Sequence, residues 1–367
     1  MRRPVAIAVV CACIAAAIGV SLALTHPWPS RRVSTALHPI TVTDALSRVV
    51  VLPHPAERIV VADDNQAEQV MALGAAERVV GIEGSIPRRG FFDDMASKPV
   101  VGNQWRGLNY ELIAKLRPDL VILVDAGPTA PIIAKLRQMH IPVFVTSIYP
   151  QKIPRAMLEL GKALGEEKRA REFVSWWMSE LRKLKELASH INATRPLKVF
   201  VSMNFAPSPL GMSLFTCGKR AAWNYWFRIL HLENIAAKYM EGCGRVSLEW
   251  LARQDPDVII VGDWSAIYTG YTKNSTEPLQ KIIERICSNP LLRHTSACIH
   301  HRVFIVGYQL LLNIRSIVGA FYLGKALYPK AFSGVDPDEL HAWFFEHWYH
   351  EPYRGIWFYP EPWRGGG

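Results

Sequence analysis

A short sequence pattern that occurs twice constrains this chain of 367 residues more than any other feature. Residues 109–124 read NYELIAKLRPDLVILV, and residues 247–262 read SLEWLARQDPDVIIVG. When Glu111 is aligned with Glu249, the Pro-Asp pairs that follow also coincide, at an offset of 138 residues (249 minus 111). Each copy is typical of a helix, a turn and a buried strand. Repetition of such a unit predicts a chain built from two similar halves.

Both halves alternate apolar strands with helices. The strand segments are apolar throughout rather than at every second residue, which is typical of parallel sheets covered by helices on both faces. The first half contains RIVVAD, RVVGIEG, DLVILVD and IPVFVTS, and the second contains KVFVSMN, DVIIVGD and RVFIVGY. We therefore predict an α/β fold of two Rossmann-like lobes with parallel sheets, an N-terminal lobe over residues 40–151 and a C-terminal lobe over residues 192–332.

The segment between the lobes reads as one helix. Residues 155–191 have apolar residues at spacings of three and four and contain no proline. A continuous helix of that length would span roughly 56 Å, longer than one lobe requires. We predict a single long rigid linking helix over residues 152–191. Residues 333–367 form an aromatic-rich C-terminal extension, in which Trp343 and Trp348 favour a packing helix.

The N-terminus predicts export from the cytoplasm. MRRP is followed by an uncharged apolar stretch, residues 5–24, in the order of a secretory signal. The stretch is also long enough to cross a bilayer, and no clean small-x-small cleavage site follows it, so residues 1–24 are either a signal peptide or an uncleaved membrane anchor. Cys13 leaves a lipoprotein open. Residues 25–39 then form a linker. We expect the protein in the periplasm or on the outer face of the cytoplasmic membrane.

Export changes how the cysteines are interpreted. Four cysteines lie beyond the leader, all in the second half: Cys217, Cys243, Cys287 and Cys298. In an oxidising compartment they predict two disulfides, for which three connectivities exist. Pairing nearest neighbours gives Cys217–Cys243 and Cys287–Cys298. A metal site of all four thiolates is an alternative, although no Cys-x-x-Cys spacing supports it. A reducing environment would leave four plain buried thiols.

Composition and motifs argue against several classes of function. The net charge of +10 is spread thinly, with no basic stripe interleaved with aromatic residues, so we expect no nucleic-acid partner. Either the surface is simply basic, or it attracts an anionic solute or lipid. The chain contains no P-loop, no glycine-rich dinucleotide motif, no Gly-x-Ser-x-Gly and no His-Glu-x-x-His. We predict that the protein is not an enzyme and has no resident cofactor or metal.

Three segments resemble, in order, parts of the class III (cluster A) solute-binding proteins of ABC importers: ERIVVADDNQAEQVMALGAAERVVGI, VGNQWRGLNYELIAKLRPDLVILV and VSLEWLARQDPDVIIVGD. Members of this family are extracytoplasmic receptors for ferric siderophores, haem and cobalamin. The resemblance covers residues 40–330. It implies two α/β lobes joined by a rigid helix, a ligand cleft between the lobes, and an ABC permease dimer with its ATPase subunits as partners.

The resemblance also implies a bulky metal chelate as ligand, and we favour an iron complex, either a ferric siderophore or haem. Cobalamin is the alternative, because Trp105 stands where cobalamin-binding relatives also have a Trp. Those relatives often carry an aromatic residue just before the VSLE-like stretch, where this chain reads EGCGR. A second alternative is a metallocluster enzyme of related fold, but such proteins need cysteine ligands in the first lobe, which contains none.

In this family, each lobe presents a glutamate that docks into arginine pockets of the permease. By position, the resemblance assigns this role to Glu111 and Glu249. Both stand near a predicted helix start, where a carboxylate is also stabilised by the helix dipole alone. Two acids at equivalent places of a repeat suit a two-fold partner better, so we predict permease docking.

Ligands of open α/β sheets bind beyond the carboxyl ends of the strands, which directs attention to the residues there. Aromatic rings could hold a large flat ligand by stacking, and arginines, including Arg89, could neutralise carboxylates or catecholates. We single out Trp105 as an apolar wall and Arg315 as an anion partner facing it across the cleft. The candidate ligand-binding residues are Asp64, Asn65, Ser85, Arg88, Trp105, Arg106, Tyr149, Asn204, Trp264, Tyr268, Tyr308 and Arg315.

Overall fold

The structure, a computed structural model, describes residues 39–208 and 211–364, without the side chains of residues 204–213. The predicted leader and nearly all of the predicted linker therefore lie outside the described residues, as does the side chain of Asn204. Within the described part of the chain, no helix is both long and apolar enough to cross a membrane.

The N-terminal lobe is built on a parallel sheet with the strand order β4-β3-β7-β8. Two short hairpins, β1–β2 and β5–β6, flank this sheet. The strands are β1 Ile40–Thr43, β2 Val49–Leu52, β3 Ile59–Val61, β4 Val79–Gly81, β5 Gly102–Asn103, β6 Gly107–Leu108, β7 Leu120–Val124 and β8 Val143–Thr146. The helices are α1 Asp64–Ala72, α2 Asp93–Ala96, α3 Tyr110–Leu116, α4 Thr129–Gln138 and α5 Ile153–Leu164, followed by α6 Glu167–Ser189.

The C-terminal lobe repeats this strand order as β12-β9-β14-β15 and adds the antiparallel strand β16 at the edge. A separate antiparallel sheet contains β10, β11 and β13. The strands are β9 Leu197–Ser202, β10 Asn204–Ser208, β11 Gly211–Cys217, β12 Leu232–Asn234, β13 Cys243–Val246, β14 Val258–Asp263, β15 Val303–Gly307 and β16 Phe358–Tyr359. The helices are α7 Asn224–Ile229, α8 Leu248–Gln254, α9 Glu277–Ser288, α10 Ser296–Ile299, α11 Ser316–Leu327 and α12 Pro337–Phe344.

The two copies of the sequence repeat fold alike. Helices α3 and α8 begin at capping residues, Asn109 and Ser247, whose side-chain oxygens accept a backbone N–H of the first turn. Both helices end at a residue in the left-handed conformation, Arg117 at φ 46° and Asp255 at φ 45°. The prediction of two similar α/β halves is confirmed, and the fully buried strands β7 and β14 explain their unbroken apolar sequences.

The predicted single helix over residues 152–191 is divided in the structure. Helix α5 ends at Gly165, which adopts the left-handed conformation (φ 70°) that terminates helices. Helix α6 then starts at Glu167 and packs back against α5, which itself contacts β1 and β8. Only α6, with 23 residues, continues to the C-terminal lobe, and its length is about 34 Å. The uninterrupted helical periodicity on both sides of Gly165 concealed this break in the sequence.

The aromatic-rich C-terminal extension packs against both lobes. It contains α12, a π-helical turn over Phe345–Tyr349, and β16, which pairs with β15 of the C-terminal lobe. Toward the N-terminal lobe, the Tyr349 hydroxyl donates a hydrogen bond of 2.9 Å to Glu68 in α1. The Arg169 guanidinium in α6 also donates to the Trp348 carbonyl, at 3.1 Å. The extension therefore fastens the lobes together.

Both predicted disulfides form, and both lie in the C-terminal lobe. Cys217 and Cys243 are directly opposed in the β11–β13 pair and join those strands. Cys287 at the end of α9 is joined to Cys298 in α10. The nearest-neighbour pairing is thus the one present among the three connectivities, so the four cysteines are not arranged as a thiolate metal site.

Candidate ligand cleft

A cleft of about 560 Å³ opens between the lobes at the carboxyl ends of their parallel strands. The N-terminal lobe supplies the ends of β3 and β4, the turn Ile86–Arg88 and the β5–β6 hairpin, and the C-terminal lobe supplies the residues after β14 and β15. This volume lies within the range of small-molecule sites. The principal side chains of the lining are Asp63, Asp64, Glu83, Ser85, Arg88, Arg89, Trp105, Arg106, Trp264 and Tyr308.

Trp105 forms one wall of the cleft and is held firmly in place. Its indole Nε1 donates a hydrogen bond of 2.8 Å to Asp63 Oδ2. Its ring lies so close over Gly127 that a Cβ atom at Gly127 would come within 2.5 Å of it. Because the polar edge is engaged while 44% of the residue is exposed, the free surface that Trp105 offers is mainly the ring.

Opposite Trp105, the C-terminal lobe contributes a stacked pair of rings. The centroids of Trp264 and Tyr308 are 4.4 Å apart, and the ring planes are inclined by 26°. The loop after Trp264 is rigid, because the Asp263 carboxylate accepts hydrogen bonds from the backbone N–H groups of Tyr268 and Thr269, each at 2.7 Å. The cleft is therefore bounded by aromatic surface on both sides.

The floor of the cleft is a buried polar cluster that joins the lobes. The Tyr308 hydroxyl donates a hydrogen bond to Asp64 Oδ1, and Arg89 Nη2 lies 2.5 Å from Asp64 Oδ2. Burial, together with the Asp64 carboxylate, raises the pKa of Tyr308, so its hydroxyl stays protonated. Arg89 is only 7% exposed, and its Nε and Nη1 have no hydrogen-bond acceptor among the described residues. Arg89 therefore keeps donors that are not used within the protein.

The pKa of the Asp63 carboxyl is changed by its surroundings. Burial and the neighbouring Asp64 carboxylate raise the pKa of Asp63 to about 7, despite hydrogen bonds from Asn65 and Trp105 that favour the charged form. The charge of the cleft floor therefore changes near neutral pH. Because Asp63 also accepts the Trp105 indole N–H, this change occurs at the side chain that fixes the aromatic wall.

Two arginines at the mouth of the cleft remain exposed. Arg88 donates one hydrogen bond of 2.9 Å to the Gly84 carbonyl. Arg106 makes no side-chain hydrogen bond or ion pair among the described residues. Glu83, by contrast, accepts hydrogen bonds from the backbone and hydroxyl of Ser85, at 2.8 and 2.5 Å. The mouth therefore presents cationic groups above a floor whose acids are already engaged.

Several predicted ligand-binding residues line this cleft together: Asp64, Ser85, Arg88, Trp105, Arg106, Trp264 and Tyr308. Others do not. Asn65 is buried in the first turn of α1, where its amide donates to Asp63. Tyr149 lines a different cavity, and Tyr268 is exposed on the loop after β14, outside the cleft lining. Proximity to a strand end therefore did not distinguish the residues that line the cleft from those that do not.

The structure contradicts the assignment of Arg315 as an anion partner in the cleft. Arg315 is completely buried, and its Nη2 and Nε lie 2.6 and 3.0 Å from the two carboxylate oxygens of Glu68. Its guanidinium stacks on Trp357, 4.3 Å from the ring centroid. With its charge neutralised by a carboxylate from the other lobe, Arg315 joins the lobes and cannot reach a solute.

Arg89, in the same lobe as Trp105, rather than Arg315 of the other lobe, is the buried arginine that lines the cleft. Neither Arg89 nor Asp63 is among the candidate ligand-binding residues predicted from the sequence. Nothing local in the sequence separates Arg89 from its exposed neighbour Arg88. Only the packing of the turn Ile86–Arg88 against the cleft floor turns one arginine inward and the other outward.

The two predicted docking acids lie on equivalent helices. Glu111 and Glu249 are both exposed, in the first turns of α3 and α8. Glu111 Oε1 lies 2.8 Å from Lys115 Nζ one turn later. Hydrogen bonds from its own backbone N–H and from the Ser247 hydroxyl lower the pKa of Glu249. Both side chains are exposed, so each is open to a partner.

The chain forms two lobes of parallel α/β structure that a long helix connects, with an aromatic cleft at the strand ends. This architecture is that of a two-lobed solute-binding protein. The family model described as periplasmic binding protein matches residues 59–310. The chain therefore belongs to the periplasmic binding protein family and is a substrate-binding protein of ABC transport rather than an enzyme, as the sequence predicted.

Individual relatives agree with this membership. An uncharacterized ABC transporter substrate-binding lipoprotein of Bacillus subtilis, YvrC, is 25% identical over 306 residues, covering 81% of this chain and 88% of the relative. The TroA-like periplasmic binding protein FepB from Veillonella parvula superposes with a TM-score of 0.71 at 20% identity, covering 87% of this chain and 99% of that one. Molybdate-bound MolA of a Haemophilus influenzae ABC transporter gives a TM-score of 0.71 at 19% identity over 86% of this chain and 99% of its own. The two structures confirm the predicted fold.

Proposed function

We propose that the protein is an exported receptor that captures a bulky anionic iron complex, of the ferric siderophore or haem class, and delivers it to an ABC permease. The observation that carries this proposal is the pairing of Trp105 with the Trp264–Tyr308 stack across a cleft that also contains Arg89. Rings on two sides suit a wide, partly flat ligand, and a buried arginine suits the negative charge of a catecholate or carboxylate.

The anion partner in this proposal is Arg89. One edge of its guanidinium is held by Asp64, which fixes the side chain in orientation. The remaining Nε and Nη1 donors have no acceptor among the described residues, and burial of such donors is costly unless a ligand oxygen completes them. Arg88 and Arg106 at the mouth add two further positive charges along the entry path.

The cleft is expected to be largely formed before the ligand arrives. The Tyr308–Asp64 hydrogen bond, the Arg89–Asp64 contact and the Glu68–Arg315 pair hold the two lobes together beside it. Affinity should therefore come mainly from a preformed site rather than from a large closure of the lobes. The C-terminal extension, which contacts both lobes, adds to this restraint.

Delivery would use Glu111 and Glu249. Both acids are exposed on helices that occupy equivalent positions of the two lobes, so a permease dimer could receive one acid in each subunit. The apolar N-terminal leader, which lies outside the described residues, would place the receptor on the outer side of the cytoplasmic membrane, either released or anchored.

Ligand binding is tested by titrating the purified mature protein with a ferric catecholate, a ferric hydroxamate, haem, cobalamin and molybdate, following tryptophan fluorescence and visible absorption. We expect saturable binding of an iron complex. Trp105→Ala should weaken it, whereas Trp343→Ala, an equally exposed tryptophan (40% against 44%) on the extension outside the cleft, should not. The conservative Arg89→Lys variant keeps a cation for Asp64 but loses the unused donors, so it should weaken anionic chelates selectively.

Cobalamin is the alternative ligand, since Trp105 also suits a corrinoid face. Binding of cobalamin but of no iron complex would replace the iron proposal by this alternative. Binding of molybdate alone, lost in Trp105→Ala or Arg89→Lys, would contradict both, and would place this chain beside MolA in ligand as well as in fold.

A further inference from the structure

A second cavity of about 410 Å³ lies between the lobes, with a lining that shares no residue with that of the ligand cleft. The N-terminal lobe contributes Asp125 after β7, and Tyr149 and Lys152 after β8. The C-terminal lobe contributes Arg220 and Arg228, from the loop after β11 and from α7. An apolar cluster that includes Ala222 of this lining and Trp264 of the ligand cleft packs between the two cavities.

The internal repeat relates the two cavities. The lobes have matching strand orders, β4-β3-β7-β8 and β12-β9-β14-β15. The ligand cleft joins the β3–β4 end of the N-terminal lobe to the β14–β15 end of the C-terminal lobe. The second cavity joins the opposite ends, β7–β8 of the N-terminal lobe and the connection from β11 to β12 of the C-terminal lobe. A two-fold relation between the lobes thus makes the second cavity the counterpart of the ligand cleft.

The lining of the second cavity is basic. Lys152, Lys219, Arg220 and Arg228 line it, against the single acid Asp125. Lys152 is paired with Asp125 at 2.8 Å, and Lys219 with Glu241 at 2.6 Å. Arg220 and Arg228 have neither an ion pair nor a side-chain hydrogen bond among the residues that the structure describes. Two exposed guanidinium groups therefore keep unused hydrogen-bond donors in a concave site, with the Glu241 carboxylate close enough to Arg220 to interact with its charge.

Both sides of the cavity are held in position. On one side, Asp125 accepts hydrogen bonds from Ser147 Oγ at 2.9 Å and from Lys152 Nζ at 2.8 Å, which orients the lysine. On the other, the Arg220 loop is fastened by the Cys217–Cys243 disulfide and by Asn224, whose amide donates to the carbonyl groups at positions 218 and 219. The cations are therefore presented by rigid backbone, as an anion site requires.

Charges from both lobes converge on one ring in this cavity. Burial and the Asp125 carboxylate raise the pKa of Tyr149, whereas Lys152 and Arg220 act in the opposite direction. Lys152 Nζ lies 5.4 Å from the Tyr149 ring centroid. Tyr149 therefore stands between a lysine of its own lobe and an arginine of the other, where its hydroxyl is available as a further hydrogen-bond donor.

We infer that this second cavity is a binding site for a small tetrahedral oxyanion, of the phosphate, sulfate or molybdate class, held between Arg220 and Arg228 of one lobe and Tyr149 and Lys152 of the other. A guanidinium pair matches such an anion because each group can donate two parallel hydrogen bonds. The site does not depend on the metal-chelate cleft, and an anion bound here would bridge the lobes on the side opposite the ligand.

The test is isothermal titration of the full mature chain with sodium phosphate, sulfate and molybdate at low ionic strength. We expect one anion per chain, with affinity falling as salt is raised. Arg220→Gln and Arg228→Gln should each weaken the anion roughly tenfold or more, since each removes a charged hydrogen-bond donor. Arg171→Gln, at an exposed arginine of α6 that lines neither cavity, is the matched control and should leave the affinity unchanged.

The order of affinity among the three anions identifies the natural class. The inference is overturned if no anion produces a saturable signal, or if Arg171→Gln weakens binding as much as Arg220→Gln. It is also overturned if Arg106→Gln in the ligand cleft, rather than the second-cavity variants, removes the binding. Iron-complex binding should be unchanged in Arg220→Gln, so failure of this site and failure of the metal-chelate proposal are separate results.

Discussion

Arginine–carboxylate pairs occur both at the centre and at the edge of the boundary between the lobes, but their surroundings differ. At the centre, Arg315 and Glu68 face each other across the boundary, fully buried, with the Tyr349 hydroxyl completing Glu68. At the edge, Arg89 is paired with Asp64 and lines the open cleft, and its buried Nε and Nη1 have no acceptor among the described residues. An arginine–carboxylate pair therefore indicates a binding site only where the arginine has donors left and the pair borders solvent.

The largest expected effect would break the central pair. Arg315→Met leaves the Glu68 carboxylate buried without its cationic partner and should lower the free energy of unfolding by about 3–5 kcal/mol. Urea denaturation followed by circular dichroism measures this. Combining Arg315→Met with Glu68→Gln should restore part of the loss, because the unpaired charge is removed. Equal losses in the single and double variants would contradict a charge-based role.

The next test concerns the outer surfaces of the lobes. These surfaces carry equivalent acids, Glu111 and Glu249, whereas the cleft between the lobes is lined by different residues from each lobe. Replacing Glu111 and Glu249 together with Ala should abolish uptake while leaving solute affinity intact, because each charge pair lost at an interface costs about 2–5 kcal/mol. Transport of labelled ligand in cells, alongside titration of the purified variant, measures both quantities. Replacing the exposed pair Glu277 and Glu339 instead is the matched control. Normal uptake by the Glu111/Glu249 variant would remove the docking proposal.

A third test concerns the aromatic wall of the ligand cleft. Trp105→Ala removes the aromatic wall and should weaken the bound iron complex by about 1.5–3 kcal/mol, the usual contribution of a large apolar side chain. Because Trp105 is exposed rather than part of the core, the thermal midpoint should hardly change. Fluorescence titration and thermal unfolding of the same preparation separate the two effects. A variant that binds normally would show that the ligand lies elsewhere.

The smallest expected effect is a pH dependence from Asp63. As pH rises through about 7, the Asp63 carboxyl loses its proton and adds negative charge to the cleft floor. The affinity for an anionic ligand should then fall by about threefold to tenfold between pH 6 and pH 8. Asp63→Asn should remove this dependence while keeping an acceptor for the Trp105 indole. A neutral ligand serves as the control, and an unchanged profile in Asp63→Asn would assign the titration to another group.

Asp63 also makes the stability of the folded protein depend on pH. Since its pKa is raised in the folded protein from the ordinary 3.8 to about 7, Asp63 binds its proton more tightly folded than unfolded. The stabilisation that comes from this bound proton is fully present below about pH 4 and is lost as the pH rises toward 7. The difference in thermal midpoint between the wild type and Asp63→Asn should therefore change across this window and be constant above it.

Much of the frame was predictable because it depends on local signals. The repeat around Glu111 and Glu249, the wholly apolar strands, and the Asn109 and Ser247 caps are properties of short segments, and each survives in the fold. The division of the predicted linking helix at Gly165 was missed, because a glycine within a helical pattern is tolerated about as readily as it ends a helix.

The equivalent residues Asp125 and Asp263, 138 positions apart (263 minus 125), show where prediction stops. Asp125 directly follows β7, and Asp263 is the last residue of β14. Asp125 accepts hydrogen bonds from Ser147, Ile148 and Lys152, which follow the neighbouring strand β8. Asp263 accepts those of Ile267, Tyr268 and Thr269, which belong to the loop that follows its own strand. The repeat placed both aspartates at strand ends, but which groups approach them depends on loops that the repeat does not share.

The amino-acid sequence alone predicted the two α/β lobes, the acids on their outer helices and the strand ends that border the cleft, because hydropathy periods of a few residues encode buried strands and helix faces. Which arginine lines the cleft depends instead on the three-dimensional packing. Arg315 is neutralised by Glu68, 247 residues away in the chain, while Arg89 turns inward and Arg88, one residue earlier, turns outward. Burial and charge pairing are set by neighbours distant in sequence, and no local pattern records them.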